Sequence, residues 1–128
     1  MIVVDASALV AILWKEPEAE AFAHRILAAD GALVAAPTRL EAFVACHRCR
    51  GPENARLMEA LVSTLDIITA PFDEAQLTIA QTAFVRFGSG PNRLNFGDCF
   101  SYALAKSRGL PLLFKGEDFG ATDIEAAA

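Results

Sequence analysis

Four short apolar runs set the frame: "IVV" at 2–4, "ALVAA" at 32–36, "DIITA" at 66–70 and "PLLF" at 111–114. Each is separated from the next by at least one stretch with helical spacing, and no two lie close enough for a hairpin. Strands joined by helices rather than tight turns pair in parallel through right-handed crossovers, with the helices laid on the sheet faces. The chain is 54% hydrophobic, more than a sheet with one wet face would use, so both faces are expected to be covered. With 128 residues, no repeat and no linker, the reading is one α/β domain over 1–128.

The intervening stretches read as helices. Ser7 is taken as N-cap of a helix to Trp14. A second runs from Glu16 to Gly31 with Pro17 in its first turn and Ala21, Phe22, Ile26 and Leu27 as its apolar face. Thr38 opens a third, which reaches Cys49 and is broken by Gly51-Pro52. Glu53 to Leu65 forms the next, with Leu57, Ala60, Leu61 and Leu65 at helical spacing. Asp73 caps one to Phe87, and Asn95 caps "FGDCFSYALAK", which Gly109 ends. The tail from Lys115 is expected as loop or a short turn.

A net charge of −5 argues against a protein that coats nucleic acid without regard to sequence. It does not exclude a nucleic-acid enzyme, because carboxylates that hold metal ions lower the net charge too. "MIVVDASALVAILW" has no basic start, is interrupted by Asp5, and is too short to span a bilayer, so neither secretion nor membrane insertion is expected and the location reads as cytoplasmic. "CHRC" at 46–49 looks like half a zinc site, yet the only other histidine is His24 and no second pair follows. Packed, reduced thiols are the expected state of Cys46, Cys49 and Cys99.

The acids are the informative residues. Each has a capping role open to it: Asp5 beside the 7–14 helix, "TRLE" at 38–41 as a capping box, Asp98 three residues after Asn95. In a parallel sheet, however, all strand C-termini meet on one edge. Asp5 ends the first strand, Glu41 lies in the first turn after the second, and Asp118 follows the fourth; Asp98 reaches that rim if the loop at 88–95 folds over it. Gathered carboxylates repel unless a cation sits among them. A hard divalent ion with oxygen ligands, Mg²⁺ or Mn²⁺, suits such a set.

"VVDASALVAIL", "PTRLEAFVA" at 37–45, "LNFGDCFSYALAK" at 94–106 and "PLLFKGEDFGATDI" at 111–124 resemble the PIN-domain ribonucleases, and more closely the VapC toxins of type II toxin–antitoxin pairs. The likeness runs in order along nearly the whole chain. It implies a three-layer PIN-like fold with a mostly parallel five-stranded sheet, the fifth strand lying near the C-terminal tail. It also implies Mg²⁺-dependent endonucleolytic cleavage of RNA, with Mn²⁺ able to substitute. By matching positions, Asp5, Glu41, Asp98 and Asp118 would form the acidic cluster, Asp5 and Asp98 as direct ligands and the other two through water. Ser7 would orient Asp5 or a metal-bound water, and Glu117 and Asp123 are rivals of Asp118 as fourth acid. Activated water would leave 5′-phosphate and 3′-hydroxyl ends. Arg39, Arg93 and Lys115 are candidate phosphate contacts. A homodimer and a cognate VapB-type antitoxin are the implied partners; Trp14 and Phe22 on the first two helices could serve them or could equally be core, and core is the better reading for Phe22.

Two other readings remain. A haloacid-dehalogenase-type phosphatase would need a second aspartate two positions after Asp5, where this chain has Ser7. A catalytically silent PIN-like domain that only binds RNA or protein would use the same acids as helix caps.

Overall fold

A computed structural model describes all residues, 1–128. β1 (Ile2–Val4), β2 (Ala32–Ala35), β3 (Ile67–Ala70) and β4 (Leu112–Leu113) form one sheet in the order β3-β2-β1-β4. Every pairing is parallel; Val3 of β1 stands opposite Leu33 on one side and Leu112 on the other. The fifth strand expected from the family likeness is present only as a single parallel bridge between Ala126 and Leu112. The tail "EAAA" holds no β-branched or aromatic residue that would extend it.

Alternation along the strands separates two cores. Ile2, Val4, Ala32 and Val34 pack with α1 (Ala6–Leu13), α2 (Ala19–Ala28), α3 (Ala36–Arg50) and α4 (Pro52–Thr64). Val3, Leu33, Ala35 and Leu112 pack on the opposite face, against α6 (Phe96–Arg108) and Ala83 of α5 (Glu74–Phe87). Each large aliphatic side chain so buried contributes roughly 1.5–3 kcal/mol. The sheet is thus covered on both faces, as its apolar composition requires. No helix is long and apolar enough to cross a membrane.

Three helix starts differ from the sequence reading. Asp5 rather than Ser7 caps α1, its carboxylate accepting from the Ser7 amide. α2 begins only at Ala19, with Pro17 in the turn before it. Thr38 lies inside α3, which starts at Ala36 with Pro37 in the first turn and no side-chain cap, so "TRLE" is not a capping box. The buried stripe of α4 is Ala55, Met58 and Val62, one position round from the one expected, and Leu57 points outward. Phe22 is core, and Trp14 is tied down by its indole N–H to Asn54 at 2.9 Å and by the Arg50 guanidinium over its ring. Of the two readings open for these side chains, partner surface or core, Phe22 takes the core one. Cys46 and Cys99 are buried, Cys49 is exposed, and all three are free.

Candidate active site

The carboxyl-terminal edge of the sheet carries the site. Asp5 is the single residue between β1 and α1, the N-cap of the helix, and it is buried to 4% exposure. Its Oδ2 accepts from the Ser7 amide at 3.1 Å and the Ser7 hydroxyl at 2.7 Å, and its Oδ1 accepts from Ser101 Oγ at 2.5 Å. A carboxylate has about four acceptor positions, so these three donors leave room for one more electrophile. Ser7 Oγ in turn accepts from the Lys115 amide at 3.0 Å, which ties the exit of β4 to the start of α1.

Ser101 is fully buried and also lies 3.2 Å from Thr38 Oγ1. Since the Ser101 proton goes to Asp5, the Thr38 hydroxyl donates to Ser101. A chain of hydroxyls thus runs from α3 through α6 to Asp5. Sequence reasoning missed both roles, although the signal was there: Ser101 follows Asp98 by three positions and Thr38 precedes Glu41 by three, so each shares a helix face with an acid.

Asp98 sits at the third position of α6 in a reciprocal capping box. Its amide donates to Asn95 Oδ1 and its Oδ2 accepts from the Asn95 amide, both at 2.9 Å. The side chain is buried, and Asp118 stands within hydrogen-bonding reach of it; Asn95 Nδ2 also approaches Asp118 at 3.5 Å. Burial, the Asp118 contact and the charge of Asp5 push the Asp98 carboxyl up to about 7 against the opposing pull of the Asn95 amide.

Glu41 comes from α3. The residue is exposed as a whole, but its carboxyl end is turned in against Gly97 in the first turn of α6. Burial of that end, with the charge of Asp5 adding to it, raises its pKa to about 7. Asp5 thus lies within the electrostatic reach of both Glu41 and Asp98, and Asp118 meets Asp98, the four acids coming from four segments. The two rivals for the fourth place do not join them. Asp123 accepts from Lys106 Nζ at 2.7 Å and Tyr102 Oη at 2.5 Å, which hold its pKa down, and Arg86 stands at 3.7 Å. Glu117 is exposed with no side-chain partner.

Of the three cations expected near the rim, two are engaged elsewhere. Lys115 Nζ pairs with Glu16 at 3.0 Å and Glu18 at 3.2 Å. Arg39 bonds Glu59 at 2.9 Å and Thr69 at 2.8 Å. Arg93 alone is exposed and free of any salt bridge. Beside the acids a groove of about 750 Å³ opens between α3 and α6, lined among others by Glu41, Leu40, Arg48, Phe96 and Gly97. A more apolar cavity of about 430 Å³, lined by Phe72, Leu77, Phe84, Val85 and Phe96, lies between α5 and α6 and includes none of the acids.

The donor set fits a hard cation. It is all oxygen, two of its carboxyls are pushed to about 7 by burial and by the charge of Asp5, and no lysine or arginine is among the groups that offset them. No group of three or more acidic, histidine or cysteine side chains stands in an arrangement that would hold a metal ion as it is. A site with few direct protein ligands and the balance made up by water matches Mg²⁺, which sheds its waters reluctantly.

The family model for the PIN domain matches residues 2–125. Ribonuclease VapC28 of Mycobacterium tuberculosis is 40% identical over 128 residues, covering 98% of this chain and 96% of that protein. Ribonuclease VapC of Mycolicibacterium smegmatis is 39% identical over 126 residues, covering 97% and 98%. Among solved structures, Mycobacterium tuberculosis VapC20, described as a sarcin–ricin loop cleaving toxin, superposes with a TM-score of 0.79 at 17% identity, covering 97% of this chain and 96% of that one. The VapBC-5 toxin–antitoxin structure from the same organism gives 0.67 at 22% identity, over 98% and 93%.

Proposed function

This chain belongs to the PIN-domain family, in its VapC ribonuclease branch, and we propose that the acidic rim is the site at which it cleaves RNA with the aid of Mg²⁺. It is a ribonuclease of the toxin–antitoxin type. The observation that carries the metal-site reading is the crowding of Asp5, Glu41 and Asp98: burial and mutual charge raise two of these carboxyls to about 7, an arrangement that a divalent cation would relieve.

Asp5 and Asp98 are assigned as direct ligands, with Glu41 and Asp118 acting through water. When bound, the cation would offset charge on the scissile phosphate and lower the pKa of a water, so that water rather than the ribose 2′-hydroxyl attacks. Ser7 and Ser101 hold the Asp5 carboxylate by its two oxygens, and its remaining acceptor position would take the cation. The Asn95 box fixes Asp98 in the same way. Arg93 is the free cation for the RNA backbone. The products would carry 5′-phosphate and 3′-hydroxyl ends.

The partners would be a VapB-type antitoxin and a second copy of this chain. Support for a protein partner lies in the exposed apolar side chains of α5 and the start of α6, Leu77, Phe84, Val85 and Phe96.

The test is thermal unfolding of partner-free protein with and without Mn²⁺ or Mg²⁺, for wild type and Asp98→Asn, followed by RNA cleavage with end-group analysis. Cation at ten times its Kd adds about 1.4 kcal/mol, a shift of a few degrees. The reading requires that shift in wild type, its loss in Asp98→Asn, and cation-dependent cleavage. Cyclic phosphate ends would contradict it.

A further inference from the structure

Gly97 occupies the second position of α6 in ordinary helical conformation, so no left-handed turn demands glycine there. Glycine is a poor choice in a helix, where alanine would hold the backbone better. What an alanine there would meet is the end of Glu41. A Cβ placed on Gly97 would overlap Glu41 Oε2, and would lie 2.7 Å from its Cδ and 3.0 Å from its Oε1. The neighbouring helix therefore has to give up a side chain for this carboxyl to lie where it does. The seat is next to Asp98 in sequence and faces the charge of Asp5. It is also at the positive end of α6, where a carboxylate is favoured.

We propose that Gly97 is a positioning residue: its missing side chain is the slot that seats the Glu41 carboxylate beside Asp5 and Asp98, and so sets how the rim holds its cation. This rests on the metal-site reading above. Glu41 is the one acid of the four with a long flexible stem and no hydrogen-bonding partner in the protein, whereas Asp5, Asp98 and Asp118 each have one. Shape rather than bonding holds it. Because the clashing atoms are the far end of that stem, a methyl group at position 97 would displace the carboxyl rather than the backbone.

The experiment is a double-mutant cycle on intact protein, with Gly97→Ala, Glu41→Ala and the pair. Mn²⁺ affinity is read by calorimetry, melting temperature by scanning, and RNA cleavage at saturating Mn²⁺. Gly97→Ala should weaken Mn²⁺ binding and lower kcat by about tenfold or more, in the range of losses seen when a metal ligand's support is removed. Its melting temperature without metal should not fall. In the Glu41→Ala background the same substitution should cost nothing further, because the group it displaces is gone. Equal losses from Gly97→Ala in both backgrounds would overturn the proposal, as would wild-type Mn²⁺ affinity in Gly97→Ala. If Gly97→Ala fails to fold, folding of the double variant supports the clash with Glu41 and its failure to fold overturns it. Wild-type protein that binds no Mn²⁺ would instead sink the metal-site reading itself.

Discussion

Ser101 Oγ donates to Asp5 Oδ1 at 2.5 Å, joining the interior of α6 to the end of β1 across 96 positions of sequence. The bond is buried, and its far side is completed by Thr38. Ser101→Ala leaves one carboxylate oxygen and one hydroxyl without partners, a loss of about 1–3 kcal/mol. Melting should therefore drop by several degrees. Mn²⁺ affinity should fall as well, by roughly 10–100-fold, since Asp5 loses the support that orients it. Calorimetric titration checks this. An unchanged affinity beside the lowered melting point would make Ser101 a packing residue only.

Asp118 and Asp123 are five residues apart and should behave oppositely. Asp123 is the hub that Tyr102, Lys106 and Arg86 grip, so Asp123→Asn should lower stability by about 1 kcal/mol while leaving cation-dependent cleavage near wild type. Asp118 touches Asn95 and Asp98 instead. Asp118→Asn should therefore reduce cleavage severely at little cost in stability. Measuring both quantities for both variants decides which is the fourth acid; the reverse pattern would hand the role to Asp123.

Legibility followed the range of the interactions involved. The strands and their parallel order could be read because β-branched runs and helix-length gaps are local signals, and the rim followed from topology. Asp5, Glu41, Asp98 and Asp118 were chosen on that basis; in the structure Glu41 and Asp98 each feel the charge of Asp5, and Asp118 reaches Asp98. The start of α3 was misread although Pro37, a first-turn residue, was a better local cue than Thr38. The buried face of α4 was ambiguous because Leu57 and Met58 are both apolar and adjacent, and only the packing partner chooses between them. The ion pairs of Lys115 and Arg39 were not legible for a different reason: their carboxylate partners lie 99 and 20 positions away, beyond any local pattern. The same distance hid the Ser101 bond.

The cations can be separated by what they lose. Arg93→Ala removes a free charge at the loop before Asp98, so it should weaken RNA binding across sequences and lower the salt dependence of affinity by about one phosphate contact. Arg39→Ala breaks its bonds to Glu59 and Thr69 and should show mainly as a small loss of stability. Binding isotherms at several salt concentrations, run with the inactive Asp98→Asn background, make the comparison. A larger effect on the salt slope from Arg39 than from Arg93 would reverse the assignment.

The pH dependence of the metal-free protein has a definite sign. Glu41 and Asp98 both carry folded-state pKa values raised to about 7, above the ordinary carboxyl range that they regain on unfolding. Between roughly pH 4 and 7 the folded state thus binds more protons than the unfolded state, and stability declines as pH rises through that window. Ionising both acids beside Asp5 is what costs the fold. A bound divalent cation removes the repulsion, so melting temperature should fall from pH 5 to pH 7.5 without metal and fall much less with saturating Mg²⁺ or Mn²⁺. Glu41→Gln should flatten the metal-free profile on its own, because one of the two raised acids is gone. A metal-free melting temperature that instead climbs across this interval would mean that the carboxyls are not held as close, or as dry, as their positions on the rim imply.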